Sequence, residues 1–458
     1  MTDLQTLSLL LAVGLSALLS YNILHSRRAP AAVVAWLAVV NLIPYLGALL
    51  WILIGARKLR RERSQRLRFS LPAGQPPEPA GLARMIAHMG GSPVSSGNRV
   101  RLALDGPAAC ADLHDLIEDA RAELHVLMYD VARDASAQRV LQALGAAAAR
   151  GVRVRMLVDD IGSWFLLGSE IRRLRRAGAE VLRFKPFTNA LLQRTANLRN
   201  HRKLVVADRL RVWAGGRNLG DRYLLERQAW QDLSFVAEGP LAQAYDDVFR
   251  ADWAFASGTP VVTGTPLPRP HPEWGAALPA VDAQLIASGP DMRDDLWHAA
   301  FLKACYEAEQ RLWLVTPYFV PDEAVLRALT AAARSGVDVR AYVPARSDNP
   351  LVDVVAASYL RELGRKGIKV YRYGPGMLHA KAVLVDAQCA LIGSANLDPR
   401  SFFLNYELIA VFHDAGVAGQ LADYLRTIEA RSSGKGFRPI GILGETVAAA
   451  ARILGPML

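Results

Sequence analysis

One pattern of residues occurs twice along the chain with the same internal spacing. His201-Arg202-Lys203 and Asp208 are followed by Gly215-Gly216-Arg217-Asn218, and His379-Ala380-Lys381 and Asp386 by Gly393-Ser394-Ala395-Asn396. Nine histidines and eight lysines in 458 residues would give about 0.16 His-x-Lys pairs by chance, so the matched pair points to duplication. A duplicated chain folds as two like units, and this length exceeds what one hydrophobic core ordinarily serves.

The elements around each motif repeat as well. In the first half a helical stretch (Asp112 to Arg121) leads to a strand (Leu124 to Tyr129), a helix ending at Arg150-Gly151, the strand Val152 to Val158 and the helical Arg172 to Gly178. In the second, Leu312 to Thr316 leads to a helix ending at Ser335-Gly336, the strand Val337 to Val343, and a helix closing at Lys366-Gly367. Alternating helices and short apolar runs predict an α/β fold with one sheet per half and helices packed outside. Gly178 to His201 is longer than Gly367 to His379, which places an insertion of 11 residues around Thr188 to Asn200, at the mouth of the site.

Within a strand, residues two apart share a face, so each His and Lys project together into one cleft. Leu204-Val205-Val206 and Ala382-Val383-Leu384-Val385 are continuous apolar runs, the pattern of strands buried on both faces. Asp208 and Asp386 fall at hairpin turns, and the return strands bring Asn218 and Asn396 back beside the imidazoles. Two imidazoles, two ammonium groups, two amides and backbone donors at glycines suit a phosphoryl group approached from both sides. In-line displacement needs a nucleophile on one face and an acid for the leaving oxygen on the other; paired histidines supply both without a metal or cofactor. Asp232 and Glu407, downstream of the motifs, are the carboxylates available to orient the imidazoles.

The doubled HxKxxxxD and G(G/S)xN pattern resembles the phospholipase D superfamily. The resemblance implies two pseudo-symmetric sheet-and-helix domains and a phosphohistidine intermediate. It carries over a catalytic set of His201, Lys203, Asp208, His379, Lys381 and Asp386, with His201 and His379 as nucleophile and general acid/base. Lys203, Lys381, Asn218 and Asn396 would bind phosphate, with Gly216 and Ser394 beside it, while Asp208 and Asp386 would be structural or stand behind the site. Within the superfamily, Thr316-Pro317-Tyr318-Phe319-Val320-Pro321-Asp322, Asn396-Leu397-Asp398-Pro399-Arg400-Ser401 and Asn405-Tyr406-Glu407 resemble segments of bacterial cardiolipin synthases. So does Ala35-Trp36-Leu37 through Ile43-Pro44-Tyr45-Leu46-Gly47. Trp51 in place of tyrosine, and Met128-Tyr129-Asp130 in place of an aromatic pair, depart from that family away from the expected chemistry. The implied activity condenses two phosphatidylglycerol molecules to cardiolipin and glycerol. A phospholipase D-type hydrolase or a membrane-anchored nuclease would use the same histidines, and a lipid-binding scaffold is a third class.

A mean hydropathy of +0.13 with 52% hydrophobic residues excludes a disordered chain and directs attention to lipid. Leu4 to Ile23 and Ala31 to Gly55 carry no charged residue, and each is long enough to cross a bilayer as a helix. A cleavable signal peptide is the competing reading of the first run, but Met1-Thr2-Asp3 lacks a basic start and a second apolar run follows. Seven cations between Arg57 and Arg68 form a collar, and they outvote Arg27 and Arg28 in predicting two spans with both ends cytoplasmic; the resemblance implies that the membrane is a bacterial inner membrane. A re-entrant hairpin is the alternative. The collar holds +6 of the net charge of +11, which leaves too little elsewhere to expect a nucleic-acid groove. Prolines divide the rest: 1–68 is membrane hairpin and collar, 69–81 linker, 82–265 first domain, 266–279 linker and 280–458 second domain.

Cys110, Cys305 and Cys389 lack metal or disulfide spacing and read as small buried residues. Trp164-Phe165-Leu166-Leu167 is expected to pack in the core ahead of reaching a membrane interface. Arg172, Arg173, Arg175 and Arg176 form a basic helix face, equally a solvated surface or a site for anionic headgroups.

Overall fold

The computed structural model describes residues 3–26, 30–55, 69, 81–164, 166, 168–184, 198–225, 230–260, 277–292 and 294–433. The basic collar, nearly all of both proline-rich linkers, the insertion at 188–197 and the segment from 434 onward lie outside the described residues. The first half supplies strands β1 (Ser95–Ala103), β2 (Glu123–Met128), β3 (Arg153–Asp159), β4 (Glu180–Phe184), β5 (Leu204–Ala207), β6 (Arg211–Gly215) and β7 (Ser234–Glu238). The second supplies β8 (Val281–Ser288), β9 (Arg311–Val315), β10 (Asp338–Pro344), β11 (Lys369–Tyr373), β12 (Ala382–Val385), β13 (Cys389–Gly393), β14 (Glu407–His413) and the short β15 (Ser432–Ser433).

These strands form one sheet in the order β15-β11-β10-β9-β12-β13-β14-β8-β1-β7-β6-β5-β2-β3-β4. Read outward from the β8–β1 junction, the two halves have the same order, so the sequence repeat is a structural one. Within each half the βαβ strands are parallel and the motif hairpins antiparallel; Val126 lies opposite Met156 in the first and Val205 in the second kind of ladder. Strands β5 and β12 are buried at every residue, as their unbroken apolar runs predict.

Phe235 of β7 and Phe412 of β14 meet edge to face with centroids 5.2 Å apart. In a flat sheet their strands would lie about 14 Å apart. The sheet therefore curls at the junction, and its halves close on a shared core that includes Val206, Phe235, Trp313 and Leu384. Each outer face is covered by its own helices through a second core, one per half.

Helix ends follow local chemistry. Repeat-equivalent Asp134 and Asp322 accept hydrogen bonds from Ala137 N and Val325 N and start the helices Ala135–Ala149 and Glu323–Arg334. Gly151, Gly178, Gly336 and Gly367, all at positive φ, stop helices where the sequence places them. One boundary differs from expectation: Leu82 and Ile86 of the helix Gly81–His88 pack with Phe301 and Cys305, and Leu82 N donates to Glu307 at 2.9 Å. The stretch after the linker thus belongs with the second half. Of the three cysteines, which are all free, only Cys305 is fully buried.

At the N-terminus, Asp3–Leu24 is a 22-residue apolar helix, about 33 Å long and sufficient to span a bilayer. The second apolar run is not a second straight span. It forms helices Pro30–Leu42 and Pro44–Ile54, broken at Ile43 (φ −135°, ψ 72°) because Pro44 lacks an N–H and disfavours helical geometry in the residue before it. Trp36 and Trp51 would be about 22 Å apart along one helix, yet their rings meet at 5.1 Å. Gly47 permits the fold-back, since a Cβ there would lie 2.8 Å from Val39 O. The hairpin docks on the first helix through Ser16 Oγ to Val40 O (3.1 Å) and Tyr45 OH to Ser8 O (2.6 Å).

These apolar helices form a core of their own, while Phe69, just beyond the collar, packs on the core shared by the two halves. Removal of residues 1–68 should therefore leave the sheet intact. Hydrogen exchange is expected to show β5 and β12 amides protected as in the full chain; wholesale exchange would contradict this division.

Candidate active site

Each motif lies just ahead of its buried strand rather than in it, because its backbone pairs with the opposite half. Asn200 bridges Tyr406, with His201 N donating to Tyr406 O (3.0 Å) and Tyr406 N to Arg199 O (3.0 Å). Gln231 bridges Leu378 in the same way, with His379 N donating to Gln231 O (2.7 Å) and Gln231 N to Met377 O (2.8 Å).

The orienting carboxylates are exchanged between halves. His201 Nδ1 lies 3.0 Å from both oxygens of Glu407, at the start of β14. His379 Nδ1 lies 2.6 Å from Asp232 Oδ2, just before β7. A carboxylate at Nδ1 holds the proton there and leaves Nε2 as the lone-pair nitrogen, the tautomer that can attack phosphorus or exchange a proton.

The two carboxylates are seated differently. A Cβ at Gly216 would lie 2.2 Å from Asp232 Oδ1, so the glycine leaves the space that the aspartate fills. Its counterpart Ser394 instead donates from Oγ to Glu407, as does Ser401 at 2.9 Å. The extra methylene of Glu407 and the two serine hydroxyls are thus a matched set. Arg217, fully buried, donates to the carbonyls of Ala103, Tyr223 and Asp232 and knits the first-half loop.

Lys203 Nζ donates to His201 O at 2.6 Å, and Lys381 Nζ stands 2.9 and 3.0 Å from the ring nitrogens of His379. Asn218 Nδ2 donates to Tyr223 OH (3.0 Å), and Asn396 presents a buried Oδ1 without a partner among the described residues. Three aromatic rings line the site. Tyr129 is edge-on to His201 at 4.8 Å and lies 5.2 Å from Lys203 Nζ, while Tyr223 and Trp230 flank His379 at 5.4 and 5.2 Å. The departure at Tyr129 therefore borders the chemistry, contrary to expectation. A lone tyrosine after an apolar strand gives no sequence signal of that contact.

Asp208 and Asp386 are corrected from the catalytic set. Asp208 follows β5 at φ 54° and accepts from the backbone N–H groups of Arg121, Ala122 and Glu123 at 2.7–2.8 Å. Asp386, at φ 52°, does the same for Glu309, Gln310 and Arg311. They tie each hairpin turn to the start of β2 or β9, at the opposite end of the strand from the imidazoles. Among the described residues, the one group with metal-ligand spacing is Glu123, His125 and Asp246. Arg250 holds both its carboxylates at 2.5 Å and Arg209 reaches Asp246, so it is a neutralised ion network rather than a cation site.

Burial sets the proton affinities. It pushes His201 down to about 4, against Glu407, and His379 down to about 3, with Lys381 adding to the fall and Asp232 opposing it. Burial also lowers Lys203 to about 7 and Lys381 to about 8, each against the pull of carboxylates in the site. For Asp232 and Glu407 burial acts upward, but Lys381 and His379 around the first, and His201 and Lys203 around the second, hold them below the ordinary carboxylate values. Each histidine feels the lysine of the other motif, so both motifs share one cleft.

A pH dependence follows. As pH rises through about 7 to 8, Lys203 and then Lys381 lose the charge that attracts a phosphate, and kcat/KM should fall. A bound phosphodiester anion favours the charged lysines, so the same limb in kcat should lie at higher pH. Superimposable profiles, or no fall across that range, would contradict this assignment.

Residues 113–253 and 302–428 match the family model described as cardiolipin synthase, PLD-like domain. The chain belongs to this family. Residues 14–55 match a second model, phospholipase D-nuclease N-terminal, which covers the second half of the long helix and the broken hairpin. Among curated members of the cardiolipin synthase family, cardiolipin synthase A of Pseudomonas aeruginosa is 34% identical over 100% of this chain and 97% of its own. A cardiolipin synthase of Geobacillus sp. (strain WCH70) is 32% identical over 97% and 94%. Among solved structures, the phosphatidylserine synthase of Haemophilus influenzae Rd KW20 superposes with a TM-score of 0.62 over 82% of this chain and 100% of its own, at 14% identity. That likeness bears on the fold of this cardiolipin synthase family member, and the two PLD-like halves share it.

Proposed function

We propose that this enzyme is a membrane-bound phosphatidyltransferase that condenses two phosphatidylglycerol molecules to cardiolipin and glycerol. The observation that carries the reading is the exchange of carboxylates, Glu407 to His201 and Asp232 to His379, which makes one site from both halves. Family membership and near full-length likeness to cardiolipin synthases support the same reaction.

In the first step His201 Nε2 attacks phosphorus, the bond to the glycerol oxygen breaks, and His379, which takes up a proton at Nε2 beside Asp232 when the phosphodiester anion binds, gives that proton to the oxygen. The intermediate is a phosphatidyl group on His201; the first motif is assigned the nucleophile on its resemblance to the superfamily. In the second step the primary hydroxyl of another phosphatidylglycerol gives its proton to His379 and attacks phosphorus, which forms cardiolipin and frees His201. Lys203, Lys381, Asn218 and Asn396 take the nonbridging oxygens. Holding the second lipid with its hydroxyl aligned gives it the effective molarity that water lacks. Expression in a bacterium devoid of cardiolipin, followed by mass spectrometry of its lipids, should show cardiolipin appear; its absence despite stable protein would count against the reading.

We assign the catalytic halves to the cytoplasmic side of a bacterial cell membrane. The broken hairpin supports a topology with one full span and one re-entrant element. Arg27, Arg28 and the collar then fall on one side, which removes the charge conflict of a two-span arrangement. The N-terminus would lie outside. A reporter active only outside the cell membrane, fused ahead of Met1, should be active; an inactive reporter with the enzyme still functional would restore two spans.

A further inference from the structure

Among the described residues outside the N-terminal helices, seven large apolar side chains are exposed, and four of them stand on repeat-equivalent segments. Ile161 and Trp164 follow β3, at 37% and 65% exposure; Leu351 and Val354 follow β10, at 46% each. Trp164 is therefore not a core residue, contrary to the expectation from sequence. Leu351 and Val354 lie three apart on the helix Pro350–Arg365, about a quarter-turn around it from Val352 and Val355, which pack with Val320.

Both segments border the cleft. Ser163 Oγ donates to Tyr129 O at 2.9 Å, and Gly162 approaches that carbonyl so closely that a Cβ would lie 2.2 Å from it. The turn bearing Ile161 and Trp164 is thus fixed to the residue whose ring meets His201. On the other side Asp348, just ahead of Leu351, accepts from Tyr318 OH at 2.5 Å, and its charge acts on Lys381. Beyond Trp164 the helix Gly168–Arg176 buries Ile171 and Leu174 and exposes Arg172, Arg173, Arg175 and Arg176.

We infer that the rim of the cleft is itself a membrane-docking surface, with Ile161, Trp164, Leu351 and Val354 entering the headgroup layer of an anionic bilayer and the arginine face lying on its phosphates. Apolar side chains beside clustered arginines match an anionic lipid surface in both area and charge. The inference rests on the lipid substrate proposed above and adds a contact separate from the N-terminal anchor. With the rim seated in the headgroups, a substrate phosphate reaches the imidazoles while its acyl chains stay in the bilayer, and bulk water is kept from the mouth.

Two measurements on the full-length chain test this. In vesicles of phosphatidylglycerol brominated on its acyl chains, tryptophan fluorescence of the unaltered protein should be quenched more than that of Trp164→Phe. Trp36 and Trp51 contribute equally to both, so the difference isolates Trp164; equal quenching overturns the proposal. In the second, Trp164→Ser/Leu351→Ser should lower turnover of vesicle phosphatidylglycerol about tenfold or more and leave turnover of monomeric short-chain phosphatidylglycerol unchanged. Equal loss on both substrates, or none on either, overturns it in favour of a structural role or a protein partner for the rim. If the synthase reading itself failed, the unaltered chain would form no cardiolipin from either substrate, and the quenching result would still decide the docking surface.

Discussion

His201→Ala and His379→Ala will each lower turnover by about four orders of magnitude or more, because the reaction needs a nucleophile and a proton donor on opposite faces of one phosphorus. Neither imidazole can stand in for the other, since each is fixed by its own carboxylate from the opposite half. Both variants should fold: His201 and His379 lie in loops ahead of β5 and β12, and the strands pack without them. Mixing the two inactive variants should restore nothing, because one chain builds the whole site. Near-normal turnover by either variant, measured as cardiolipin formed from phosphatidylglycerol, would refute a shared site.

The second large effect is expected at the carboxylates. Glu407→Gln and Asp232→Asn keep the shape of the site but remove the charge that selects the Nδ1–H tautomer and stabilises the imidazolium formed in the reaction, and each should lower kcat by about 10² to 10⁴ with little change in KM. The replacements remain hydrogen-bonded, so melting temperatures should move far less than rates. Lys203 and Lys381, which we propose bind the phosphate, should behave differently and raise KM when changed. A fall in stability that tracks the fall in kcat would reduce Asp232 and Glu407 to structural roles.

Much of the site was legible from spacing alone. The duplicated His, Lys, Gly and Asn positions require two hairpins that return to their own starting points, and β5–β6 and β12–β13 do so. The exchange of carboxylates was not legible, because Asp232 and Glu407 lie 147 and 206 residues from the histidines they hold and local periodicity carries no signal at that distance. The aspartates of the motif illustrate the converse. Adjacent in sequence to the chemistry, they sit at the far end of a strand, and their carboxylates are consumed by backbone amides. In the membrane segment, hydropathy reported length but not direction: a run without charges reads as one span, whereas Pro44 and Gly47 let it fold back on itself. Trp164 went astray for a similar reason, since apolar character in a sequence does not distinguish a core from a surface that lipid would cover.

The central claim is that the phosphatidyl group passes through the shared site to a second lipid and not to water. Purified enzyme incubated with phosphatidylglycerol labelled in its glycerol headgroup should release labelled glycerol and cardiolipin in equal amounts, with added glycerol driving cardiolipin back to phosphatidylglycerol. Phosphatidic acid as the dominant product at every acceptor level would identify a hydrolase and contradict the account.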